Sequence, residues 1–123
     1  MSADWVRLMR VLFLPGADAG PGAPWRPAAD VYRTPGGWAV KFELAGVRAE
    51  DIDLEVQGRR LRLRGVRRDC APPGARSVYQ MEIAYSGFER VVELPCDLDH
   101  ADVTTGYRDG MLLVRIRTEG GQL

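Results

Sequence analysis

The stretch Trp38-Ala39-Val40-Lys41-Phe42-Glu43-Leu44 decides the fold. Its large apolar side chains stand at every second position, with Ala39, Lys41 and Glu43 between them. Side chains alternate across an extended strand, so this spacing puts Trp38, Val40, Phe42 and Leu44 on one face and Lys41 and Glu43 on the other. An amphipathic helix would place them three and four residues apart. The stretch is therefore a strand with one face buried.

The same period recurs downstream. Ile52, Leu54 and Val56 alternate with Asp53 and Glu55, and Leu61 and Leu63 alternate with Arg60, Arg62 and Arg64. Val92 and Leu94 flank Glu93. Leu112, Val114 and Ile116 alternate with Leu113 and Arg115. Half-buried antiparallel strands read this way. Turn residues punctuate the runs: Pro35-Gly36-Gly37, Gly58 and Asp109-Gly110. Gly46, Gly87 and Gly110 are expected where the chain turns sharply. The segment 66–76 reads as a longer loop. Short strands at this spacing predict an all-β sandwich.

Upstream the pattern differs. Over residues 4–14, Trp5, Leu8, Met9 and Leu12 follow helical spacing, and Ser2 or Asp4 could cap the start. A helix of about eleven residues is marginal alone in water, so it either docks on something or stays fluid. Residues 15–27 are rich in Pro, Gly and Ala and read as a linker. Trp25 stands out there, because an aromatic in a linker finds a surface to cover. The chain divides into an arm and linker at 1–27, a domain at 28–118 and a short tail at 119–123.

With 123 residues the chain holds one domain. Lys and Arg number 17 and Asp and Glu number 17, so the balance offers no electrostatic footprint for nucleic acid or an acidic membrane. Zero net charge also removes the self-repulsion that would oppose self-association. At the start, Arg7 and Arg10 leave Val11 to Leu14 as the longest apolar run. That is shorter than a signal peptide core or a membrane span requires. The expectation is a soluble, cytoplasmic protein with no membrane span.

Candidate chemistry is sparse. Cys70 and Cys96 are the only cysteines, and they make neither a zinc pattern nor a disulfide framework. His100 is the single histidine. It could pair only with Cys96, and no oxyanion hole accompanies the pair. Asp97, Asp99 and Asp102 lack the Gly and distal Glu of a calcium loop, and capping of backbone N–H groups accounts for them. The stripe Arg60, Arg62, Arg64 has no interleaved aromatics and reads as a solvated or ion-paired face. No Gly-rich phosphate loop follows a strand. The chain is read as a non-enzyme, with no metal and no cofactor.

The order of several short motifs resembles the small heat shock protein, or alpha-crystallin, family over about residues 25–118. Trp25-Arg26-Pro27 precedes Asp30-Val31-Tyr32. Phe42-Glu43-Leu44-Ala45-Gly46-Val47 precedes Glu50-Asp51-Ile52, with Ala45 where the family usually has Pro. Leu61-Arg62-Leu63-Arg64-Gly65-Val66-Arg67 follows, then Gly87-Phe88-Glu89-Arg90 with Leu94-Pro95, and finally Tyr107-Arg108-Asp109-Gly110-Met111-Leu112-Leu113-Val114.

The resemblance implies a homodimer of immunoglobulin-like antiparallel β-sandwiches. In bacterial and plant members of the family, a loop strand of one subunit joins the sheet of the other. Here that strand would be Ser77 to Ile83, with Val78, Tyr79, Met81, Ile83, Phe88 and Arg90 at the interface. A hydrophobic groove would be walled by Ile52, Leu54, Val56, Val103 and Thr105. Family members usually end in an Ile-x-Ile or Ile-x-Val motif. After Ile116 only Arg117-Thr118-Glu119-Gly120-Gly121-Gln122-Leu123 follows, so a dimer or small oligomer is expected. The implied function is an ATP-independent holdase. It would bind unfolded or partly folded clients through Trp5, Leu8, Met9, Leu12 and Phe13 of the arm and through the groove. The rival is a monomeric interaction module of the CS-domain kind, without holdase activity.

Overall fold

A computed structural model describes residues 25–68 and 71–118. The strands are β1 (Ala29–Thr34), β2 (Gly37–Glu43), β3 (Ile52–Gln57), β4 (Arg60–Val66), β5 (Gly87–Glu93), β6 (Asp102–Arg108) and β7 (Met111–Arg117), with one 3-10 turn at Ala49–Asp51. They form a four-stranded sheet in the order β1-β2-β7-β6 and a three-stranded sheet in the order β3-β4-β5. All the strand pairings are antiparallel. The expected two-layered, immunoglobulin-like sandwich is the fold.

The alternating residues fill the space between the sheets. Val40 and Phe42 of β2 lie opposite Val114 and Leu112 of β7, and all four are fully buried. Ile52, Leu54, Leu61, Leu63 and Val92 face them from the other sheet, with Leu44, Leu94 and Leu98 closing the ends. Each such side chain contributes roughly 1.5–3 kcal/mol by leaving water. The polar face behaves as its charges require. Arg62 sits 3.8 Å from Glu55 and 3.4 Å from Glu89, and Arg64 sits 3.7 Å from Asp53. These pairs are half exposed, so each adds about 0–1 kcal/mol.

Two glycines are fixed by space or backbone. Asp109 and Gly110 have φ of 54° and 77°, and Arg108 pairs with Met111 across them. Positive φ at both central residues makes a type I′ turn, whose twist suits a hairpin. A Cβ on Gly110 would also stand 2.9 Å from Ala45 Cα, so two turns pack together there. On Gly65 a Cβ would meet the Asp51 carbonyl oxygen at 2.3 Å and the Phe88 ring at 2.5 Å. Gly87, expected at a sharp turn, instead opens β5 as a buried residue of the sheet.

Candidate functional site

The expected groove would lie between the edge strands β3 and β6 of the two sheets. Both ends of β6 are tied to the ends of β3. At one end the Leu98 N–H donates to the Gly58 carbonyl at 2.7 Å, and the Gly58 N–H donates to Asp99 Oδ1 at 2.8 Å. Asp99's own N–H donates to Asp97 Oδ1 at 3.0 Å, so these aspartates cap backbone groups in a turn. At the other end Tyr107 Oη lies 2.7 Å from the Leu44 carbonyl and 2.6 Å from that of Val47, just before β3. The segments flanking β3 are therefore tied to both ends of β6.

The expected groove residues divide. Ile52 and Leu54 are 0% and 4% exposed and belong to the core, so they offer nothing to a ligand as the sandwich stands. The cause is their inward register opposite Gly65 and Leu63 of β4. Val56 and Val103 are half-buried and pack on the margin of the core. Thr105 is also half-buried, and its Oγ1 is buried without a hydrogen-bond partner. The apolar strip at this rim is thus Val56 and Val103, with Tyr107 as an anchor that the sequence reading missed. Burial of the Tyr107 phenol pushes its pKa above the usual 10.0.

The second candidate surface is the segment leading into β5. Residues 71–83 are exposed throughout. Within them Val78 is 63%, Tyr79 100%, Met81 54% and Ile83 59% exposed. None of the four lies in a strand. β1 is an edge strand whose Val31 and Tyr32 are also exposed. Phe88 does not join this surface. It is 1% exposed, its ring packs edge-on against Trp25 at 5.1 Å, and the missing Cβ of Gly65 makes room for it. Arg90 is half-buried on the inner side of β5, where its Nη1 donates to the Pro27 carbonyl at 2.7 Å and its Nε has no partner.

The arm residues Trp5, Leu8, Met9, Leu12 and Phe13 lie outside the described residues, as does Cys70. Cys96 is half-buried and free of a disulfide. Among the described residues no group of three or more His, Cys, Asp or Glu could hold a metal ion. No helix among them is long and apolar enough to cross a membrane. A cleft of about 310 Å³ lined by Thr34, Trp38, Asp102, Thr104, Arg115 and Arg117 contains none of the expected arm, groove or interface residues.

The described residues thus form a two-sheet sandwich that leaves apolar side chains such as Val31, Tyr79 and Ile83 exposed and holds no metal-ligating cluster. A model of the Hsp20/alpha crystallin family matches residues 30–122, and the chain belongs to that family. Its members are not enzymes. Small heat shock protein C2 of Rickettsia felis is 23% identical over 90 residues, covering 73% of this chain and 58% of the relative. The 18 kDa antigen 1 of Mycobacterium avium is 32% identical over 98 residues, covering 77% of this chain and 65% of the relative. The chain thus spans somewhat more than half the length of these relatives. Among solved structures, hspA of Xanthomonas axonopodis is 25% identical with a TM-score of 0.65, covering 80% of this chain and 99% of that one. Heat shock protein 16.0 of Schizosaccharomyces pombe has a TM-score of 0.67 at 20% identity, covering 80% and 92%, a likeness of fold.

Proposed function

We propose that the chain is an ATP-independent holdase that covers apolar segments of unfolding proteins and limits their aggregation. Family membership supports the chaperone class. The observation that supports the finer reading is apolar surface left uncovered on a single chain, with Val78, Tyr79, Met81 and Ile83 exposed on one continuous segment and Val56 and Val103 only half-buried at the rim. Apolar side chains grouped in this way mark interaction surfaces. Covering them is favourable by about 25 cal/mol per Å² removed from water.

Two occupants compete for apolar surface in this reading. A second copy of the chain takes the segment Ser77 to Ile83 along the open edge of β1, which supplies unpaired backbone groups beside Val31 and Tyr32. Unfolding clients take the arm and the rim at Val56 and Val103. Because a holdase binds the unfolded or partly folded form, it slows aggregation without nucleotide hydrolysis.

The test is light scattering from a thermally unfolding model client. Protection is expected at near-stoichiometric ratios and without ATP. A large excess that gives no protection, while circular dichroism shows the sandwich still folded, would overturn the holdase reading.

A further inference from the structure

Arg67 follows β4, and its side chain meets three separate segments. Its guanidinium lies 3.6 Å from the centroid of the Trp25 ring. Its Nε donates to the Ala84 carbonyl at 2.8 Å, and its Nη1 donates to the Ala45 carbonyl at 3.1 Å. The Tyr85 ring centroid is 6.0 Å away. The backbone adds to this, because the Arg67 N–H donates to the Ser86 carbonyl at 3.0 Å. Trp25 reaches the same residue through its own N–H, 3.4 Å from Ser86 Oγ.

The position of this cluster matters. Residues 71–83 are exposed without a break, and half-burial begins at Ala84, where Arg67 takes hold. Trp25 pairs with Phe88 through an isolated parallel bridge. Trp25 is held to the sandwich by that backbone bridge, by its N–H on Ser86 and by its indole against Arg67 and Phe88. One guanidinium therefore binds both the entry of the preceding chain and the base of the exposed apolar segment. Arginine suits this role because its planar fork gives several N–H donors in plane and leaves a flat face for an aromatic ring.

We propose that Arg67 is a positioning residue that couples the two segments, so that displacing Trp25 also frees the base of the 77–83 segment. The inference rests on the proposed function for its consequence: a client that draws on the arm would loosen the surface used for self-association. Coupling of this kind is reciprocal, so each side must report the loss of the other.

The experiment uses the full chain with W25L, R67M and the double substitution. Each is read at the other's backbone N–H, since residues 25 and 67 both donate to Ser86. We expect W25L to speed amide exchange at residue 67, and R67M to speed it at residue 25, each about fivefold or more. The double substitution is expected to exceed neither single by more than about twofold, because both remove the same contact. Exchange at residue 67 left unchanged by W25L, or effects that multiply, would overturn the coupling. Melting temperatures identify any variant that fails to fold. In that event W25F and R67K decide: W25F keeps a ring under the cation and should match the wild type, whereas R67K loses the fork and should speed exchange at residue 25. Sedimentation separates this proposal from the reading beneath it. A wild-type chain that stays monomeric removes self-association, while the exchange cycle still decides the coupling.

Discussion

One phenol holds the groove's upper end. Tyr107 Oη stands within hydrogen-bond reach of two carbonyls, those of Leu44 and Val47, yet carries a single proton. Y107F leaves both without that donor, although the Leu44 carbonyl still accepts from the Val47 N–H at 3.0 Å. The expected loss is about 1–2 kcal/mol in denaturant unfolding. The pH dependence follows from the raised pKa. In the unfolded chain the phenol ionises near 10.0, while the buried phenol keeps its proton to higher pH. The stabilisation is therefore whole below pH 10.0 and is lost as pH rises through the native value. The gap between wild type and Y107F should close in alkali, and a constant gap across that range would show that the hydroxyl is not the cause. Tyr107 was visible in the sequence as part of a turn signature. Its partners were not, because every residue carries a carbonyl and no side chain marks which ones face the hydroxyl. The same holds for Arg67, whose donors meet backbone oxygens of Ala84 and Ala45.

Strands were legible wherever one face is buried. β2, β3, β4 and β7 alternate because they pack Val40, Leu54, Leu63 and Val114 against one another. β1 carries no such signal. Its four central residues are exposed, so nothing constrains Val31 and Tyr32 to alternate. β6 alternates in burial, but its inner face is Val103, Thr105 and Tyr107, which reads as mixed polarity. β5 was visible only at Val92, with Leu94 just past its end, because Arg90 occupies an inward position of the strand. The turn between β3 and β4 supplies a test of how the groove's lower end is held. Asp99 accepts from the Gly58 N–H, with the Leu98–Gly58 bond beside it. D99A should cost about 1 kcal/mol and speed exchange of the Gly58 amide. If that amide exchanges at the wild-type rate, the carboxylate does not hold the turn, and the Leu98 contact alone fixes the groove's end.

At the scale of the molecule the question is which exposed apolar surface would join copies of the chain under the proposed self-association. The sandwich leaves β1, β3, β5 and β6 as sheet edges. The ends of β6 are tied to the segments flanking β3, which leaves two edges: β5, with exposed Val91, and β1, with exposed Val31 and Tyr32 beside each other. Tyr79 and Ile83 can be changed without disturbing the core, since they are 100% and 59% exposed. Surface changes of this kind move stability by about 0.5 kcal/mol or less. Y79S with I83S should therefore leave the melting temperature nearly unchanged at dilutions where the wild type is also monomeric. The same pair should shift the sedimenting species toward the monomer, with the loss of affinity set by the apolar area no longer covered. A lower melting temperature at unchanged mass would mean that these side chains serve the fold. An unchanged mass at unchanged melting temperature would move self-association to a different surface, leaving residues 77–83 free to meet clients directly.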